Sequence, residues 1–169
     1  MAGYGSDDDF AAWLAAHGLT LPASAPAPAV LRQIGSTYVD GAYEYRLSCS
    51  HRAGGFAQER AWPRTGHTVD RQVVPEDLVP PPWVDASFRA AYLTAVTPGW
   101  ATSGLDPSRL TKREKAGEIE QEFFEAGKGA VQGNAAPGFR VDPLIDGALA
   151  GWLCPVSSTH GLGIWTVGG

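Results

Sequence analysis

Twenty-one glycines and thirteen prolines are spread through this 169-residue chain, and their positions limit what it can fold into. Glycine and proline punctuate regular structure, so much of the chain must be loop or extended arm around a few short helices. The length fits one domain with room for one modest core. An apolar fraction of 44% with six tryptophans supports a folded body rather than a disordered one. The expectation is a mainly α protein: a small helical bundle over 1–154 with a β-hairpin and long loops, followed by an extended C-terminal arm over 155–169.

The helices are read from caps and periodicity. Ser6 before Asp7, Asp8 and Asp9 is a helix start, with a side-chain cap and carboxylates where the helix dipole favours them. Phe10, Trp13, Leu14 and His17 recur at helical spacing and Gly18 ends the run, giving a helix near 6–17. After an Ala/Pro linker from Leu21 to Pro28, the residues Val30, Leu31, Ile34, Tyr38, Val39, Ala42 and Tyr45 trace one apolar face from about 28 to 47. Gly35 and Gly41 weaken that helix by about 1 kcal/mol each relative to Ala, which suggests a closely packed neighbour. Asp85 is a candidate cap for a helix near 84–97, with Phe88, Ala91, Tyr92, Ala95 and Val96 on one face. Asp142 followed by Pro143 opens a last helix near 142–154, with Leu144, Ile145, Ala148, Leu149, Trp152 and Leu153 as its stripe.

Between the helices, 48–82 has no sustained period and is punctuated by Gly54-Gly55, Trp62-Pro63, Thr65-Gly66 and Pro80-Pro81-Pro82. Loops of that length in small domains tend to be functional or disordered, and Phe56, Trp62 and Val73-Val74 imply that this one docks on something. Residues 110–124 read as a β-hairpin, with charged residues alternating around Gly117; helix is the competing reading. The tail after Pro155 carries Leu162, Ile164, Trp165 and Val167 with strand-like alternation and no Asp, Glu, Lys or Arg. It can pack on its own domain, stay disordered, or insert into a partner.

The net charge is −5, with ten Arg and three Lys, so there is no general electrostatic attraction to phosphate backbones. Tyr38, Tyr43, Tyr45, Trp62 and Trp83 beside Arg46, Arg52, Arg60 and Arg64 could stack bases if exposed, but core and loop-anchor roles fit their spacing better. Cys49 and Cys154 are too few and too far apart in sequence for a disulfide framework or a zinc site. His51, two residues from Cys49, makes a weak case for a thiolate nucleophile. His17, His67 and His160 are scattered, without metal-ligand spacing. No phosphate-binding, dinucleotide-binding or hydrolase signature occurs. The expectation is no catalytic residue, no metal and no cofactor. No apolar run approaches a membrane span, and the acidic N-terminus lacks the features of a secretory signal, so a soluble protein made in the cytoplasm is expected.

Three stretches carry a resemblance: an early Asp-rich helix leading to Tyr38-Val39-Asp40-Gly41; Ala61-Trp62-Pro63-Arg64-Thr65-Gly66 followed by Val74-Pro75 and Val79-Pro80; and Lys112-Arg113-Glu114-Lys115 with Gly117. In this order they resemble the head–tail adaptor (head-completion) proteins of bacteriophages and gene transfer agents. The same group also carries the label of a DnaT-like single-stranded-DNA-binding protein, which is the alternative function. The adaptor likeness implies a helical-bundle structural protein of the virion neck, assembled in the host bacterial cytoplasm as a homo-oligomeric ring of twelve. Such a ring sits below the portal protein, receives a stopper or tail-completion protein, and passes packaged DNA through its lumen without specific binding. Arg60, Trp62 and Arg64 have the composition interfaces prefer and are expected at a subunit contact, unless Trp62 closes its own subunit's core. Leu162, Ile164, Trp165 and Val167 are expected to bind the portal.

Overall fold

Each helix starts where the local chemistry permits it. The computed structural model describes residues 2–102, 113–116, 119–122, 134–136 and 138–155, and over these the protein is mainly α with small antiparallel hairpins. Helix α1 (Asp7–Ala16) is opened by a capping box: Ser6 Oγ accepts from the Asp9 N–H while the Asp9 carboxylate accepts from the Ser6 N–H. Gly18, at φ +64°, turns the chain away after it. Helix α2 (Pro28–Tyr43) has proline at its first position and tightens into a 3₁₀ turn over Glu44–Leu47. Helix α3 spans Pro81–Val96 and α4 spans Pro143–Ala150, where Asp142 accepts from the N–H groups of Leu144 and Ile145.

Asp85 does not cap α3. The helix begins three residues earlier than its apolar pattern suggests, because Pro81 and Pro82 occupy its first positions. Their fixed φ suits the helix and their missing N–H groups would have had no partner there.

The main helix contact is α2 on α3. Gly35 makes it possible: a Cβ there would lie 2.1 Å from the Ser87 carbonyl oxygen and 2.7 Å from the Ala91 nitrogen. Tyr38, Val39, Trp62, Trp83, Ile145 and Leu149 belong to the principal core, while Phe10, Leu14, Leu31 and Phe88 fill a second cluster under α1. Helix α4 is tied to α3 by a two-pronged ion pair, with Arg89 donating to Asp142 at 2.6 and 2.9 Å. The apolar stripes overreach at their ends: Val30, Tyr45, Val96 and Leu144 are exposed. Tyr45 lies past the end of α2, where the change from 3.6 to 3.0 residues per turn rotates it off the buried face.

The long loop is ordered by short pairings. Strand β1 (His51–Arg52) pairs with β2 (Arg64–Thr65), and β3 (Thr68–Val69) pairs with β4 (Gln72–Val73). Asp70 and Arg71, both at positive φ, make the tight turn between β3 and β4. Strands β5 (Arg113–Ala116) and β6 (Ile119–Glu122) pair antiparallel, with Arg113 opposite Glu122 and Ala116 opposite Ile119, so the hairpin reading holds over helix. Of the expected arm over 155–169, everything after Pro155, including Leu162, Ile164, Trp165 and Val167, lies outside the described residues.

A second expectation is overturned. Cys49 and Cys154, 105 residues apart in sequence, form a disulfide with a Cα–Cα distance of 5.8 Å. Sequence separation says nothing about spatial distance once α4 returns across the 3₁₀ turn, where the Cys154 N–H donates to the Arg46 carbonyl at 2.8 Å.

Candidate functional site

Arg64 is buried, and all of its donor nitrogens are engaged. Nε donates to Ser50 Oγ at 2.8 Å, and Nη1 to the Ala61 carbonyl at 3.0 Å and Glu44 Oε1 at 3.4 Å. Nη2 donates to the carbonyls of Leu47 at 3.0 Å and Ser50 at 2.6 Å. A guanidinium has five N–H donors in a fixed fork, and here they close the C-terminal end of the 3₁₀ turn, where carbonyls lack helical partners. Burial pulls the Arg64 pKa below its usual value, against the pull of Glu44. Glu44 is also gripped by Arg52, at 2.6 Å to each carboxylate oxygen, and that hydrogen bonding holds its carboxyl below the ordinary range.

Trp62 is 1% exposed. Its N–H donates to Tyr4 Oη at 3.2 Å, and its ring meets His67, Trp83 and Trp152 edge-on at 4.8 to 6.1 Å. The reading in which Trp62 closes its own subunit's core describes this placement; whatever the arrangement of a ring, the indole's surface is already covered. Arg60 lies over the Tyr4 ring at 5.7 Å and donates to the Ala2 carbonyl at 2.8 Å. It also faces Asp40 Oδ2 at 3.5 Å. Asp40 further accepts from Tyr4 Oη at 2.8 Å and Trp83 Nε1 at 3.0 Å, yet burial keeps its carboxyl above the ordinary range. The structure thus brings Arg60, Trp62 and Arg64 into one buttressed loop, each turned toward its own chain.

Four of the five aromatics considered for base stacking, Tyr38, Tyr43, Trp62 and Trp83, are at most 3% exposed. Tyr45 is half exposed, with its hydroxyl donating to the Asn134 carbonyl at 3.1 Å. Arg46 reaches Asn134 Oδ1 at 2.9 Å and the Cys154 carbonyl at 3.2 Å. Among the described residues the most exposed large apolar side chains are Phe56 and Val73, both on the long loop.

His51 is exposed and paired in β1, so the imagined Cys49–His51 couple is not the one the fold assembles. The imidazole near Cys49 belongs to His67, with Nδ1 at 3.9 Å from Cys49 Sγ and 3.0 Å from Ser50 Oγ. Burial pushes the His67 pKa down and Arg64 adds to that; the Trp152 backbone opposes the shift, though Nε2 is left without a hydrogen bond of good geometry. Sequence reasoning missed this contact because His67 lies 18 residues from Cys49, on the far side of the β1–β2 pairing, with no motif spacing to link them.

Among the described residues, four helices and an arginine-pinned loop define a mainly helical protein whose loop contributes Ala61, Trp62 and Val74 to its core. A family model described as "Putative DnaT-like ssDNA binding protein" matches residues 2–165, and the chain belongs to that family. No curated protein and no solved structure matches the chain.

Proposed function

We propose that this chain is a structural virion protein, a head–tail adaptor that forms a homo-oligomeric ring of twelve between the portal and the stopper or tail-completion proteins. In this reading the helices are the adaptor's bundle and 155–169 is its portal-seeking arm. The ring is assembled in the bacterial cytoplasm, and the chain is not an enzyme. The observation that carries the proposal is the internal use of the Trp-Pro-Arg-Thr-Gly stretch. Its arginine closes a helix end and its tryptophan fills the core, so the residues behind the adaptor resemblance are architectural. With an acidic net charge of −5, such a subunit suits a channel wall past which DNA slides. Ring contacts then fall to side chains with surface to offer, among them Phe56, Val73 and Tyr45, with Arg60, Trp62 and Arg64 shaping the loop that presents them. Deleting residues 156–169 is expected to leave a folded subunit that no longer joins portal-bearing capsids. Normal attachment of the truncated protein would remove the arm from the portal contact.

Single-stranded-DNA binding is the second reading, and the family's description favours it. The half-exposed Tyr45 beside Arg46 and the exposed Phe56 are the described residues best placed to stack bases. An anisotropy titration with single-stranded oligonucleotide separates the readings. Submicromolar affinity at moderate salt would favour DNA binding over the adaptor role.

A further inference from the structure

The Cys49, Cys154 and His67 cluster is used by neither reading. Both sulfurs and a ring nitrogen of His67 lie within 4.8 Å of one another. Each residue is also held by hydrogen bonds that do not pass through the S–S bond. The Cys154 N–H donates to the Arg46 carbonyl at 2.8 Å, and Arg46 Nη2 donates back to the Cys154 carbonyl at 3.2 Å. Cys49 sits in a turn closed by the Ser50 N–H on the Leu47 carbonyl at 3.1 Å, and Arg64 pins Ser50 itself. His67 is 1% exposed, its ring is braced edge-on by Trp62, and its carbonyl accepts from the Val74 N–H at 2.9 Å. Cleaving the disulfide would therefore leave the three side chains gathered.

We propose that the reduced protein binds one zinc-class divalent cation through the Cys49 and Cys154 thiolates and His67 Nδ1, with water as fourth ligand. The disulfide and the metal site are alternative states of the same residues. Two thiolates and an imidazole are a donor set that zinc favours. Metal–sulfur bonds of about 2.3 Å and metal–nitrogen bonds of about 2.1 Å set tetrahedral edges of roughly 3.6 to 3.8 Å. The 3.9 Å from Cys49 Sγ to His67 Nδ1 is already near that edge, so two other things must change. The sulfur–sulfur separation has to open, and the cation has to replace the 3.0 Å contact of Nδ1 with Ser50 Oγ. The Cys49 N–H, 3.0 Å from Cys154 Sγ, supplies the outer hydrogen bond that steadies a coordinated thiolate. Cys49 is exposed, which gives the cation and the water a route in.

Opening the site consumes two electrons and two protons. A phosphine reductant cleaves the S–S bond, takes oxygen from water to become a phosphine oxide, and leaves two thiols. In a cell, a monothiol pool delivers the same electrons and is oxidised to its own disulfide. The cation then displaces both thiol protons.

The test uses the full chain, reduced with a phosphine, freed of excess reductant without air, and titrated with Co²⁺ and then Zn²⁺. The expected result is saturation at one equivalent of Co²⁺, with the intense visible absorption of tetrahedral thiolate-bound cobalt, bleached by Zn²⁺. The air-oxidised protein should take up none. Cys49→Ser and Cys154→Ser should each weaken binding at least about 100-fold, and His67→Ala should change the cobalt spectrum. Reduced protein that keeps its circular dichroism yet binds neither cation would overturn the proposal. So would cobalt binding that survives in the double serine variant. The decisive titration uses the native chain, so it stands even if a variant fails to fold.

Discussion

The α2–α3 contact and the loop from Ser48 to Pro80 both contribute to one core, the loop through Ala61, Trp62 and Val74, but they are held by opposite means. The helices meet through small apolar residues, with Gly35 against the Ser87 carbonyl and Ala91, and their backbone groups are satisfied within each helix. The loop has no such internal ladder beyond pairs of two-residue strands. Several of its carbonyls are satisfied instead by side chains, above all Arg64, whose guanidinium serves three carbonyls, a hydroxyl and a carboxylate. A helix pair can lose one contact and keep its hydrogen bonds; the loop concentrates its order in a few residues.

That contrast is tested first where the largest effect is expected. Trp62→Ala should cost about 4 kcal/mol in urea denaturation, the range for removing a large buried aromatic. A loss below about 1 kcal/mol, typical of surface positions, would mean that the loop merely drapes over the helices. Arg64→Met keeps an apolar stem but leaves the Ser50 and Ala61 carbonyls without their donor, while the Leu47 carbonyl keeps the Ser50 N–H and hydroxyl. Stranded buried acceptors make this cost about 3 kcal/mol. Gly35→Ala forces the helices apart, an overpacking cost of roughly 1–3 kcal/mol offset by about 1 kcal/mol of helix propensity. A net loss near 1 kcal/mol or more is expected, and an increase in stability would show that α2 and α3 can slide to accept a methyl group.

The smallest effect is pH-dependent and has opposite signs at two places. Hydrogen bonds from Arg52 hold Glu44 below the ordinary carboxylate range. For Asp142, burial works upward but the Arg89 hydrogen bond and the α4 N–H groups prevail, so it too is lowered. These two contribute stability that is full above the unfolded carboxylate pKa of about 4 and is lost as pH falls through their lower folded values. Asp40 is raised by burial. Its protonated form contributes stability below the unfolded pKa, and that contribution is lost as pH rises through the folded value. Urea midpoints measured across this window should show the upper decline flatten in Asp40→Asn, while the acid limb remains. An unchanged upper limb would remove Asp40 as its source.

The helical half of this contrast is written in the sequence because its signals are local. Ser6 with three following aspartates, Pro28, and Asp142-Pro143 mark starts, and Gly35 signals a close neighbour through its missing side chain. Even there, the position of α3 follows Pro81-Pro82 rather than the more obvious cap at Asp85. The loop half is not legible in that way. An Arg and a Trp flanking a proline have the composition of an interface anchor, and only the tertiary arrangement reveals that both turn inward. The Cys49–Cys154 bond and its His67 neighbour draw on residues from three distant segments, and no spacing rule links them.

The central claim is that the aromatic and cationic residues of the loop serve the protein's own architecture. Its most direct test is a fluorescence anisotropy titration of the folded chain against labelled single-stranded DNA at moderate salt. The account predicts no submicromolar binding, because the Trp62 indole and the Arg64 guanidinium are enclosed by their own subunit. Submicromolar affinity would contradict it.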